Sequence, residues 1–196
     1  MDRLTQLLLD AQQGDDEALE RFVASTQHDV MAVCRYLGDR DNADDLAQET
    51  YRRAIASLHR FRAEGPARHW LLTIARRTCA DATRRRIRRR RREHVREWND
   101  DLHGIEPTSD TTGLGELIGA LDPDRRAAFV LTQVNGLSYA EAADVLEVPI
   151  GTIRSRVARA RIDLVGELEA AERRAAGELD EAADPREPEG RRRRPS

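Results

Sequence analysis

Residues 148–161 read VPIGTIRSRVARAR, which places Arg154, Arg156, Arg159 and Arg161 on one short segment with no acid before Asp163. Guanidinium groups are built for phosphate oxygens and guanine edges, which they grip with two parallel N–H donors. On a helical wheel Ile150, Ile153, Val157, Ala160 and Leu164 share a sector of about 80°. Ser155 lies opposite its centre, with Gly151, Thr152, Ala158 and Arg159 beside it, and Arg154 and Arg156 flank that face. Small residues in the middle allow close approach to a groove, and the arginines at the sides reach bases or backbone. A solvated basic face on an ordinary helix pair is the alternative. It leaves unexplained why the charge has one sign only.

No other residue pattern in the chain suggests reaction chemistry. There is no carboxylate cluster with a histidine, no glycine-rich phosphate loop and no nucleophile beside a base, so neither an enzyme nor a cofactor is expected. The five histidines show no metal-ligand spacing. Cys34 and Cys79 are far apart in sequence and read as small buried side chains.

The basic segment needs elements that hold it. Ser138 with Glu141 three residues on forms a capping box that opens a short helix. Glu147, Val148 and Pro149 make the turn into the arginine helix, which gives a helix-turn-helix. Upstream, Asp122 and Pro123 start another helix, and Gly136 ends it. Apolar spacing of three and four predicts further helices over 4–9, 17–37, 43–58 (capped by Asp41 or Asn42) and from 67 into the run RRRIRRRRR at 84–92. Residues 93–113 lose this period and read as a linker. The expected fold is therefore all-α. Two small helical domains, 1–92 and 114–168, are joined by a flexible acidic linker, and a disordered tail follows from 169 to 196.

Net charge hides a segregated pattern. The whole chain carries −3, but residues 1–58 carry −6, 59–92 carry +11, 93–124 carry −8 and 150–165 carry +3. All 33 basic residues are arginine, as a GC-rich coding bias would produce, so position means more than residue type. Two basic blocks separated by acid suggest two contacts with one polyanion. With no apolar run of about 20 residues and no signal peptide, a cytoplasmic protein without membrane insertion is expected.

The stretch GLSYAEAADVLEVPIGTIRSRVARAR resembles the second DNA-binding domain of sigma factors of the extracytoplasmic-function type, the subunits that give bacterial RNA polymerase its promoter specificity. DRDNADDLAQETYRRA resembles that family's polymerase-binding helix, and WLLTIARRTCADATRR resembles its −10 helix. The resemblance covers residues 4–92 and 114–167 and is nearest the actinobacterial C-type branch. It implies that Asp41, Asp44, Asp45, Leu46, Gln48 and Glu49 dock on core RNA polymerase. It implies −10 promoter DNA contacts by Phe61, Arg62, Arg68, His69, Trp70, Arg76, Arg77, Arg84 and Arg85, with the loop FRAEGPARH forming the pocket for a flipped base. It implies −35 contacts by Thr152, Arg154, Ser155, Arg156, Ala158 and Arg159. It also raises an anti-sigma factor as a partner. Two positions depart from the family pattern. Glu147 stands where a small turn residue, usually Gly, is common, and Tyr51 replaces the commoner Phe.

Overall fold

A computed structural model describes residues 1–96 and 113–182, with side chains described through Arg89 and again from Gly113 through Arg173. Eight α-helices follow one another: α1 (Arg3–Gln12), α2 (Asp16–Leu37), α3 (Ala43–Ser57), α4 (Ala67–Arg96), α5 (Gly113–Ala120), α6 (Pro123–Phe129), α7 (Tyr139–Leu146) and α8 (Ile150–Ala182). No strand occurs among the described residues. The all-α, two-unit architecture expected from periodicity is the one observed.

Local sequence sets the helix starts. Asp2 accepts a hydrogen bond from the Thr5 amide at 3.0 Å, and Asp15 accepts one from Ala18 at 3.0 Å. These side chains satisfy amides that the first turn leaves without partners. Asp41 and Asn42 do not act this way. A 3-10 turn over Arg40–Asn42 leads into α3, and Asn42 makes no side-chain capping bond, because its backbone lacks the extended geometry a cap requires. Asp122 does cap α6, accepting from Asp124 and Arg125 with Pro123 in the first turn. Both halves of the Ser138–Glu141 capping box are formed at α7.

The first unit packs α1, α2 and α3 against α4, with Leu8, Phe22, Val30, Val33, Leu71 and Leu72 almost wholly enclosed. The Thr5 hydroxyl donates to Asp2 at the start of α1 and accepts from the Ala67 amide at 2.9 Å, which fixes the start of α4. The Tyr51 hydroxyl, present where Phe is commoner, shares a 3.0 Å hydrogen bond with Thr26. Cys34 and Cys79 are buried, as expected, but not apart. α2 packs on α4 and brings the two thiols within hydrogen-bonding reach, and this neighbour together with burial pushes the Cys79 thiol well above its ordinary value. Such a thiol stays protonated and unreactive.

In the second unit α6 widens into a π turn over Val130–Val134, where the Asn135 amide reaches back five residues to the Val130 carbonyl at 2.9 Å. Gly136 then takes a left-handed φ of 68° and turns the chain into α7. Of the stripe on α8, Ile153, Val157 and Ala160 are buried, whereas Leu164 is half-buried and Ile150, at the mouth of the turn, is exposed.

Two boundaries differ from the sequence reading. α4 runs past residue 92 to Arg96, and the rest of the expected linker, 97–112, lies outside the described residues. α8 continues to Ala182, so the segment from 169 begins as helix, in keeping with the strong helix propensity of EAAERRAA. Residues 183–196 lie outside the described set. The two units are in contact, α2 with α5, α6 and the π turn, and α4 with α7.

Gly38, after the last turn of α2, has no room for a side chain. A Cβ there would lie 2.5 Å from the Cys34 carbonyl and 2.4 Å from Leu46. Gly38→Ala is expected to cost about 1–3 kcal/mol through overpacking. Gly119→Ala, with nothing within 4 Å of its Cβ, is expected to gain up to about 1 kcal/mol from helix propensity. Urea unfolding of both variants checks the contrast, and equal midpoints would contradict it.

Candidate nucleic-acid interface

The arginine helix presents the face its wheel predicted. Arg154, Ser155, Ala158 and Arg159 are exposed, and Thr152 is half-exposed beside them. Arg154 and Arg159 make no ion pair or hydrogen bond among the described residues. Arg156 is different. It turns inward and pairs with Asp124 of α6. Arg161 donates to Gln133 at 2.9 Å. Two of the four arginines therefore brace the domain and two point to solvent, with small residues between them.

The other basic block lies along α4. Phe61 is buried and packs on half-exposed Trp70, with ring centroids 5.2 Å apart. These rings line a cavity of about 410 Å³ together with Arg60, Arg62, Glu64, His69 and Thr73. The loop FRAEGPARH thus surrounds an opening that has an aromatic wall and two arginines at its rim. The far wall comes from Asp144 and Val145 of α7, in the other unit. Ala63, in that loop, takes a left-handed φ of 52°.

The remaining residues expected on the −10 side divide into two groups. Arg84 and Arg85 are exposed, and Arg84 pairs with Asp81 at 2.7 Å. Arg68, His69, Arg76 and Arg77 all face the second unit. Arg68 grips Asp29 of α2 through two 2.7 Å hydrogen bonds and donates to the Asn135 carbonyl at 2.5 Å. The Asp29 carboxylate raises the Arg68 guanidinium above its ordinary value, against the opposing effect of burial. His69 Nε2 lies 3.1 Å from Glu141. Arg77 hydrogen-bonds Glu147, and Arg76 comes within 3.9 Å of the same carboxylate. The Arg76 Nε is buried without a partner.

Glu147 closes α7 in the left-handed conformation, φ 56° and ψ 43°. The discomfort expected for a residue with a Cβ at that turn is therefore real. Sequence reasoning found the strain but not its neighbours, since about seventy residues separate Glu147 from the arginines it meets.

The acidic patch occupies the Arg40–Asn42 turn and the first two turns of α3. Asp41, Asp44, Asp45 and Gln48 are exposed. Leu46 is not, being buried beneath Gly38. It reaches the surface only at the wall of a groove that also includes Asp39, Asn42, Arg85 and Arg86. Glu49 accepts from Arg53 at 2.8 Å, and that bond, with Arg52, Arg53 and Arg85 nearby, holds its carboxyl below the usual range. Arg53 also donates to Asp81 at 2.9 Å. A chain of charges, Glu49–Arg53–Asp81–Arg84, therefore links the acidic patch to the basic helix.

Among the described residues no helix is long and apolar enough to cross a membrane. Among the same residues no group of three or more His, Cys, Asp or Glu is placed to hold a metal.

An all-helical arrangement of the described residues with a helix-turn-helix and a second basic face around an aromatic cavity is that of a DNA-binding protein. Comparison with known proteins is more specific. Residues 22–93 match sigma-70 region 2, and residues 112–164 match sigma-70 region 4. The chain is 45% identical over 172 residues to the ECF RNA polymerase sigma factor SigC of Mycobacterium tuberculosis, covering 85% of this chain and 91% of that one. It is 32% identical over 171 residues to the RNA polymerase sigma-H factor of Pseudomonas aeruginosa, covering 80% and 89%. Its fold is similar to CnrH in complex with the cytosolic domain of CnrY, with a TM-score of 0.68 and 29% identity over 86% of this chain and 99% of that one. It is also similar to RpoE in complex with the anti-sigma factor NepR from Bartonella quintana, with a TM-score of 0.63 and 28% identity over 77% and 96%. The chain belongs to the extracytoplasmic-function sigma factors of the sigma-70 family, the initiation factors that act with RNA polymerase at promoters.

Glu141 serves two contacts at once, and its backbone hydrogen bond with Ser138, the Ser138 hydroxyl and then His69 keep its carboxyl below the ordinary glutamate value. A carboxyl held low when folded stabilises the fold above its unfolded pKa, and that contribution is lost as pH falls through the folded value. Glu141→Ala is expected to lower stability by about 1 kcal/mol at neutral pH. The deficit should shrink as the pH falls below the carboxylate range. Thermal melts of both proteins across pH test this, and a deficit that does not change with pH would contradict it.

Proposed function

We propose that this chain docks on core RNA polymerase through the acidic start of α3 and reads promoters with two separate faces. Asp41, Asp44, Asp45 and Gln48 supply the exposed docking charges. Glu49 is fixed beside them by Arg53, and Leu46 supports the patch from below. An acidic surface of this kind repels DNA and suits a basic, partly apolar protein partner.

The −35 element is read by Thr152, Arg154, Ser155, Arg156, Ala158 and Arg159. Arg154 and Arg159 are the residues whose guanidinium groups are unengaged, so they are the first candidates for base edges and Arg156 for a phosphate. The −10 element is held by Arg62, Arg76, Arg77, Arg84 and Arg85, with His69 and Trp70 at a cavity able to take an unstacked base. Phe61 backs Trp70, and Arg68 anchors the start of the helix. Few melting aromatics imply strict promoters.

The observation that carries this reading is the occurrence, in one chain and in family order, of the aromatic cavity on α4 and an exposed reading face on α8. The factor performs no catalytic step of its own and works in the bacterial cytoplasm, where polymerase and DNA are. An anti-sigma factor is a further proposed partner, supported by the fold's likeness to RpoE, which was solved in complex with the anti-sigma factor NepR.

Size exclusion with bacterial core polymerase tests the docking patch. The wild-type chain is expected to co-elute, and Asp44→Arg with Asp45→Arg is expected to abolish co-elution; unchanged co-elution would sink the assignment. Arg159→Ala should leave core binding intact and reduce promoter use about tenfold, the scale of one lost base contact. Equal promoter use in run-off transcription would remove Arg159 from the reading face. Tight binding to duplex DNA without core enzyme would instead indicate a stand-alone regulator.

A further inference from the structure

Arg156 is the arginine of the reading face that is already engaged. Arg154 and Arg159 point to solvent, whereas Arg156 keeps only 22% of its side chain exposed and pairs with the carboxylate of Asp124. Asp124 stands in the first turn of α6, behind the Asp122 cap, and is itself 67% exposed. The pair therefore lies at the edge of a surface proposed to meet a polyanion. A carboxylate there opposes DNA by charge alone, so its position calls for a physical reason.

Holding the domain together is a weak reason. Ala128 of α6 and Leu131 of the π turn are already buried with Ile153 and Val157 of α8. The next residue of α6, Arg125, reaches Asp163 of α8 at 2.6 Å. An exposed ion pair adds little to such packing. The spacing along α8 offers a better reason. Thr152, Arg156, Arg159 and Asp163 follow at intervals of four, three and four, which makes them one strip of the helix. Asp124 holds Arg156 and Arg125 holds Asp163, so α6 grips this strip on either side of Arg159. A guanidinium carries five N–H donors in a rigid plane, and a bidentate carboxylate takes two of them. The rest of the fork stays available to an acceptor on the DNA side. A free arginine samples many rotamers, and fixing one before DNA arrives lowers the entropic cost of the contact.

We propose that Asp124 is a positioning residue for −35 recognition: it presets Arg156 toward one phosphate of the duplex, the contact that seats the reading helix for Arg154 and Arg159. Phosphate contacts fix register, and base contacts then discriminate. Asp124 acts only through Arg156. The proposal rests on the −35 assignment of α8, and the test separates the two.

The experiment measures binding of holoenzyme, assembled on bacterial core polymerase, across a range of salt concentrations. The probe is a fluorescent promoter duplex that the wild-type holoenzyme has enriched from a random-sequence library. Asp124→Asn keeps the size and removes the charge. It should weaken binding about fivefold, within the range of couplings between residues in contact. It should also flatten the slope of log affinity against log salt by about 0.9, the loss of one phosphate contact. Arg156→Ala should do the same, and the double variant should be no weaker than Arg156→Ala. Asp124→Glu should bind within about twofold of wild type. Asp124→Asn that binds as tightly as wild type overturns the proposal, and so does tighter binding, which removal of an acid beside a polyanion would give. Weakening that adds in the double variant also overturns it, because Asp124 would then act independently of Arg156. A lower melting temperature with an unchanged salt slope makes the pair a strap between α6 and α8 only, and the proposal fails. Arg159→Ala, run alongside, tells which claim has failed. If it weakens binding and Asp124→Asn does not, the −35 assignment stands and the positioning role falls. If neither weakens binding, or if no sequence is enriched, the −35 assignment falls and the positioning role falls with it.

Discussion

The relation between the two halves of this molecule depends on one ion pair. Arg68 stands in the first turn of α4 and reaches Asp29 on α2 with both arms of its fork, and a third bond goes to the Asn135 carbonyl of the second unit. Asn135 answers by donating to the Asp29 carbonyl at 3.0 Å. Asn135 is buried, whereas Arg68 and Asp29 are half-buried, so the cluster is partly shielded from water. Such a half-buried, two-pronged pair is less screened by water than an exposed ion pair, which contributes about 0–1 kcal/mol. The π turn over Val130–Val134 has a role here. The extra residue in the helix shifts the register and carries Asn135 to Asp29, in keeping with the use of such bulges at functional positions.

From that anchor the remaining contacts follow in order along α4. Arg68 at the start fixes the tilt of the second unit. One residue later His69 meets Glu141, and two turns further on Arg76 and Arg77 meet Glu147. None of these surface pairs is strong alone, since exposed ion pairs contribute about 0–1 kcal/mol each. Their effect lies in placement, because each one occupies a group proposed to contact the −10 strand.

Much of this was readable from sequence where the determinants are local. The Ser138–Glu141 box, the Asp122–Pro123 start, the apolar stripe of α8 and the awkward Glu147 turn all depend on residues within a few positions of each other. Three local readings failed for identifiable reasons. Asn42 does not cap α3 because a 3-10 turn precedes it. Leu46 is buried because Gly38 lets α2 close over it. Ile150 is exposed because it sits at the mouth of the turn. Contacts between the units were not legible, since Arg68, His69 and Arg77 find partners 67, 72 and 70 residues away. A basic residue on a helix gives no sign of whether it faces a phosphate or a carboxylate. The meeting of Cys34 and Cys79 was hidden for the same reason. The one available hint was Glu147, an acid where the family tolerates Gly, and it points to a partner outside the turn.

The central claim is that one chain carries a core-polymerase docking patch at the start of α3 and two separate promoter-reading faces. Hydrogen–deuterium exchange of the free chain and of its complex with core polymerase tests this most directly. The account predicts that residues 41–49 become protected on binding, because the acidic start of α3 is the proposed docking surface. No protection at 41–49 would contradict it.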